Sequence, residues 1–185
     1  GSKRWIQLIG FIVLIAGIWI GGTYYSHFEK DRQKRQEFVK LYMEYAARKR
    51  MEITRQHIVY NQHRTRMIVN DTLTIRNPYR EKISEFFLFL NPGLYVDDIK
   101  TGETNVNFTR KDFVISLHHS LNPGETKEFV IRYTGEIDER VCYLDIPDQE
   151  YYVTQWSINI LRYGKHTALV DDEYTLLTPE CLWYP

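Results

Sequence analysis

An unbroken apolar run near the amino terminus constrains this chain more than any other feature. It extends from Trp5 to Tyr25, carries no charged residue, and holds Gln7 as its one strongly polar side chain. As an α-helix its 21 residues rise about 31 Å, close to the roughly 30 Å hydrocarbon thickness of a bilayer. Trp5 and Trp19, with Tyr24 and Tyr25, fall toward its ends, where amphipathic rings favour the headgroup level. A cleaved secretory signal has a shorter apolar region, roughly 7–15 residues, and ends in small residues. A buried core helix seldom stays apolar on every face for this length. The run therefore reads as a transmembrane helix over residues 3–27, with the lipid bilayer as its partner, and Gly1-Ser2 reads as an expression remnant.

Gly17 and Gly21 stand four residues apart within the run, a spacing that lets a second helix approach closely. They are the expected contact face for other transmembrane helices. Charge does not fix the orientation. Lys3 and Arg4 precede the run, but Lys30, Arg32, Lys34, Arg35 and Lys40 follow it.

Residues 28–50 contain no Gly or Pro and are rich in helix formers, so a helical stalk is expected there. Phe38, Leu41, Tyr42 and Tyr45 recur at three- and four-residue spacing and give it one apolar face, suited to packing on the following domain or a partner. Glu44 and Arg48 are complementary at i,i+4. The basic residues could touch anionic headgroups, though a solvated helix face is the favoured account of them.

From Met51 the period changes. Met51–Thr54 and His57–Tyr60 begin an extended pattern, and Arg64–Arg76 carries Met67, Val69, Leu73 and Ile75 in β-type sequence. Glu85–Leu90 is densely apolar and ends at Asn91-Pro92-Gly93. Tyr95–Ile99, Asn105–Arg110 and Phe113–Leu117 are further short extended runs, and Asn122-Pro123-Gly124-Glu125 is a turn signal. Lys127–Tyr133 alternates with Phe129, Ile131 and Tyr133 on one face. Tyr151–Leu161, Ala168–Val170 and Tyr174–Leu177 complete the set. Short strands at this spacing, with no βαβ pattern, predict a mainly β chain: an antiparallel β-sandwich over residues 51–185.

Lys+Arg and Asp+Glu balance at 24 each, so no nucleic-acid partner is implied. The two cysteines, Cys142 and Cys181, are too few for a disulfide scaffold; they could pair outside the cytoplasm, or be two buried thiols.

Four segments, Ile75-Arg76-Asn77-Pro78, Phe87–Pro92, Leu121–Glu125 and Ile131–Gly135, together resemble the N-terminal β-domain of M1-family aminopeptidases. Ile137–Asp145 and Leu176–Pro185 are similar, more narrowly, to bacterial membrane proteins that fuse an ABC-transporter-type permease to an M1-like peptidase region. The resemblance implies a bacterial inner-membrane location with the β-domain outside the cytoplasm. It also implies a peptidase-like domain following Pro185, which would carry zinc on a His-Glu-x-x-His helix. This chain contains no such motif, so the resemblance assigns it no catalytic residue and no cofactor of its own. Its expected role is non-catalytic support of that domain. The rivals are a peptide-binding module of a transport system and the pocket wall of an active aminopeptidase.

Other chemistry is sparse. His118-His119 would point to opposite faces of a strand and not share a metal. Asp171-Asp172-Glu173 lacks the spacing of a calcium loop. Trp156, Tyr163, Trp183 and Tyr184 could line the docking surface for the peptidase-like domain, or pack in the core.

Overall fold

The structure, a computed structural model, describes residues 2–146, 168–170 and 175–185. The expected strand Tyr151–Leu161 lies outside the described residues. The chain divides into two compact units, Gly1–Glu37 and Phe38–Pro185.

The first unit is helical and belongs to α1 (Ser2–Ala46). This helix is long and apolar enough to span a membrane, with a mean hydropathy of 1.6 over its most apolar stretch. Its large apolar side chains stand fully out from the chain: Ile18, Trp19 and Tyr25 are all about two-thirds exposed, at 68%, 71% and 66%. So continuous an apolar surface is one that water does not tolerate uncovered. Within the run, the Thr23 hydroxyl donates to the carbonyls of Trp19 or Ile20, at 3.0 and 2.8 Å, and so needs no water. Beyond the run, the ion pairs Arg32–Glu29 and Lys34–Glu37 (2.8 and 3.1 Å) mark the return to a polar helix surface.

The second unit opens with the last turns of α1, which end at Ala46, four residues before the expected stalk limit. The strands are β1 (Glu52–His63), β2 (Arg66–Arg76), β3 (Phe86–Phe89), β4 (Leu94–Thr101), β5 (Thr104–Asn105), β6 (Phe108–Lys111), β7 (Val114–Leu117), β8 (Thr126–Gly135), β9 (Ala168–Val170) and β10 (Thr175–Leu177). All pairings are antiparallel. One sheet has the order β1-β2-β8-β4-β5, a second β3-β7-β6, and β9 and β10 form a hairpin.

The main core lies between the first two sheets. Met67, Val69, Leu73 and Ile75 of β2, with Phe129, Ile131 and Tyr133 of β8, meet Phe86, Leu88, Ile115 and Leu117 of the smaller sheet. The mainly β, antiparallel reading of the sequence is therefore the observed fold. Alternation explains β2 and β8, each buried on one face. It fails for β3, where Phe86 and Leu88 enter the main core while Phe87 and Phe89 face the other way. That second face is covered by Phe38, Leu41, Tyr42 and Tyr45 of α1. Tyr45 meets Phe87 edge-on at 5.0 Å, Tyr42 meets Phe89 at 5.8 Å, and Phe38 meets Phe113 at 6.0 Å. A strand buried on both faces has no polar side to show, which is why its sequence reads Phe-Phe-Leu-Phe.

Candidate functional site

Two buried asparagines, each followed by proline, organise the loops at the ends of the sandwich. Asn77 terminates β2, because Pro78 cannot continue the ladder. Its side-chain amide donates to the carbonyls of Glu81, Leu121 and Asn122 at 2.8–3.1 Å, and its oxygen accepts from the Tyr79 N–H at 3.0 Å. Its backbone is bonded to Glu125 and Gly124. Asn91 does the same beyond β3. Its amide donates to the carbonyls of Asp138 (3.1 Å) and Cys181 (2.8 Å), and its oxygen accepts from the N–H groups of Gly93 and Asp138. Arg110 adds a third lock: its guanidinium donates to the carbonyls of Leu90, Asn91, Leu94 and Asp112. Burial pulls its pKa below the usual arginine value.

A concavity of about 550 Å³ opens beside the Asn91 lock, lined by Arg66, Gly93, Tyr95, Gly135, Glu136, Ile137, Asp138, Glu139 and Arg140. Its floor exists because Gly93 and Gly135 lie back to back. A Cβ on either would overlap the backbone of the other strand, at Glu136 or at Gly93 itself. Gly135 also has φ +151, which disfavours any side chain there. The walls carry both signs of charge. Asp138 takes a two-pronged contact from Arg140 (2.9 and 2.8 Å) and caps the short 3-10 turn Glu139–Val141, and Glu136 accepts from the Thr65 hydroxyl at 2.7 Å. These acidic groups are already committed to structural partners, so the arrangement offers shape and mixed polarity rather than a poised acid, base or nucleophile. No group of three or more metal-ligating side chains occurs among the described residues.

Asp71 is a strongly perturbed carboxyl. It is fully buried on the core face of β2, paired across the ladder with Ile131. One oxygen accepts from Gln56 Nε2 at 2.8 Å, while Oδ1 has no hydrogen-bond partner. Desolvation raises its pKa to about 6, and the Gln56 hydrogen bond and the nearby His57 lower it in part. The Tyr133 hydroxyl, on the same face of β8, is also buried without a partner; burial and then the Asp71 charge push its pKa upward. The period-2 slot between Val69 and Leu73 could have revealed Asp71 in the sequence.

Among the residues singled out from sequence, Gly17 and Gly21 lie on the exposed helix, with open space where a Cβ would stand. Trp183 is half-buried against the main core, edge-on to Tyr60 (6.4 Å) and to Tyr184 (4.7 Å). Its indole N–H is buried without a partner. Trp156, Tyr163 and Asp171-Asp172-Glu173 lie outside the described residues. Cys142 and Cys181 are both fully buried. His118 and His119 have separate surroundings, Glu85 for the first and the Phe129 ring for the second.

No family model and no curated protein matches this sequence. Several solved structures do resemble the fold. The M1 zinc metallopeptidase from Deinococcus radiodurans is 20% identical over 49% of this chain and 22% of its own, with a TM-score of 0.44. A mutant of that protein bound to a Tyr-Ser-Ala substrate matches at the same identity and TM-score over 21% of its length. A two-domain M1 zinc metallopeptidase mutant bound to L-tryptophan matches equally. The chain thus spans about a fifth of the length of these structures, and nothing about activity follows from a match of that extent.

Proposed function

We propose that this chain is a non-catalytic, membrane-anchored β-domain that holds an M1-peptidase-like domain in place outside the cytoplasm of a bacterial inner membrane, next to a transporter-type membrane portion. One observation carries the reading. The last turns of α1 are embedded by four side chains, Phe38, Leu41, Tyr42 and Tyr45, in the face of the three-stranded sheet, and the same helix bears the apolar span. A domain that positions another one needs such a helix-to-sheet joint. The motifs resembling M1 N-terminal domains support it, since Asn77 and Asn91 act as structural locks and not as chemical groups. No His-Glu-x-x-His occurs in the sequence.

A photo-crosslinking residue at Tyr184, in native membranes, tests the proposal. Crosslinks are expected to peptides of a peptidase-like region, in the same polypeptide or a separate one. Crosslinks confined to lipid or membrane helices, or zinc-dependent peptide cleavage by the 185-residue chain itself, would overturn it. A second reading, a peptide-binding module, has the concavity at Arg66, Tyr95 and Arg140 in its favour. Saturable binding of a peptide library to the chain in detergent, abolished by Arg140→Glu, would select that reading instead.

A further inference from the structure

We propose that Cys142 and Cys181 are a disulfide-forming pair that staples the end of the sandwich to the carboxyl-terminal segment. They are the two cysteines of a 185-residue sequence, and the fold brings them into one fully buried cluster, flanked by Ile137, Tyr143 and Leu177. Buried cysteine is ordinarily just a small apolar side chain. Coincidence explains one such residue, but explains poorly why both meet across 39 positions of sequence.

The backbone on both sides is built alike. Cys142 closes the 3-10 turn Glu139–Val141, and Cys181 ends the 3-10 turn Pro179–Cys181. The residue after each is left-handed, Tyr143 at φ 56 and Leu182 at φ 53. Asn91 fastens the two turns together, through Asp138 and the Cys181 carbonyl. The Leu182 carbonyl also accepts from the Asn91 N–H at 2.7 Å. The chain thus holds both cysteines in place without help from the bond itself. A concavity of about 260 Å³ is lined by Val141, Tyr143, Glu180 and Leu182, sequence neighbours of the two cysteines, while the cysteines themselves are fully buried, so exchange requires this end of the fold to open.

The chemistry is thiol–disulfide exchange with a small-molecule disulfide. One thiolate attacks a sulfur of the oxidant, breaks its S–S bond and expels one reduced thiol. The second thiolate then attacks the protein sulfur of the mixed disulfide and expels the other. Two protons and two electrons leave the pair, and the oxidant is reduced to two thiols. Pairing in the cell rests on the extracytoplasmic placement proposed above; pairing in the purified chain does not.

The full chain in mild detergent, treated with oxidised glutathione, denatured and alkylated, is expected to lose the mass of two hydrogens. It should take up no alkyl group, and yield a Cys142–Cys181 linked peptide. Dithiothreitol should restore both alkylation sites, and resistance to protease should fall with them. Cys142→Ser, or Cys142→Ala if the serine variant does not fold, should hold glutathione at Cys181 or stay alkylatable. Alkylation of both cysteines in the treated wild type, or linkage between chains, overturns the proposal. Pairing in vitro combined with two reduced thiols in cells trapped with N-ethylmaleimide leaves the pair standing and overturns the extracytoplasmic placement instead.

Discussion

Replacing Asp71 by asparagine should stabilise this protein at neutral pH. Asp71 is completely buried, and desolvation lifts its pKa from 3.8 to about 6. An acid with a raised folded-state value holds its proton more tightly when folded. Its contribution is therefore fully present below the unfolded value near 3.8 and is lost as pH rises through about 6. Above that point the folded state carries a buried charge, and the displacement from 3.8 to about 6 corresponds to about 3 kcal/mol. Asparagine removes the charge, keeps the shape, and retains an oxygen to accept from Gln56. Its new N–H needs a partner, which discounts the gain to about 1–2 kcal/mol. For a unit of this size that raises Tm by roughly 2–8 °C. Pulse proteolysis of wild type and Asp71→Asn in the same detergent, from pH 4 to 8, is the assay. Wild-type stability should fall between about pH 4 and 6 and level off above, and the variant's curve should be flatter there, the two meeting near pH 4. A variant less stable than wild type at pH 7.5, or a wild-type curve with no fall across that window, would refute the assignment of a buried, charge-penalised carboxyl.

Three further outcomes follow from the same contacts. Asn91→Ala removes four side-chain hydrogen bonds around buried backbone groups and should cost about 3–5 kcal/mol, with amide exchange accelerating first at Asp138 and Gly93; a loss below about 1 kcal/mol would show that water replaces the side chain. Gly135→Ala should cost about 3 kcal/mol or more from overlap with Gly93 and an unfavourable φ, whereas Gly102→Ala, in open space at φ +56, should cost about 1 kcal/mol; equal losses in proteolysis midpoints would contradict the close approach. Ile15→Arg, at the middle of the apolar run, should weaken membrane insertion by about 3–4 kcal/mol, read as release of the chain by alkaline carbonate, and unchanged retention would argue against a spanning helix.

Much of this fold was legible because burial is one-sided. Phe129, Ile131 and Tyr133 announce their shared face by strict alternation, and the helical spacing of Phe38, Leu41, Tyr42 and Tyr45 announces theirs; both groups are buried as their spacing demands. What stayed hidden has physical causes. The Met51–Thr54 and His57–Tyr60 pieces are one strand, β1, because the pairing slips between Ile53 and Arg55 and breaks the alternation that joins them. Asn105–Arg110 is two strands, since β5 and β6 pair in different sheets. Asp71 sits in a core slot that the alternation of β2 marks, but nothing local names the neighbours on β1 and β8 that surround it there.

The asparagines show most clearly what a local pattern misses. Asn77-Pro78 and Asn91-Pro92 read as turn punctuation, and each does end a strand. Neither sequence position reveals that its amide reaches across the fold, Asn77 to residues 121 and 122 and Asn91 to residues 138 and 181. These locks join the very segments whose order resembles an M1 N-terminal domain: Ile75–Pro78 is fastened to Leu121–Glu125, and Phe87–Pro92 to both Ile137–Asp145 and Leu176–Pro185. A residue that satisfies three or four buried backbone groups can be replaced only at the cost of leaving them unpaired. A chain without such a residue has to satisfy those groups some other way, and that requirement is one of architecture and not of activity. What the held loops present is the concavity walled by Arg66 and Arg140, and the Trp183–Tyr184 end.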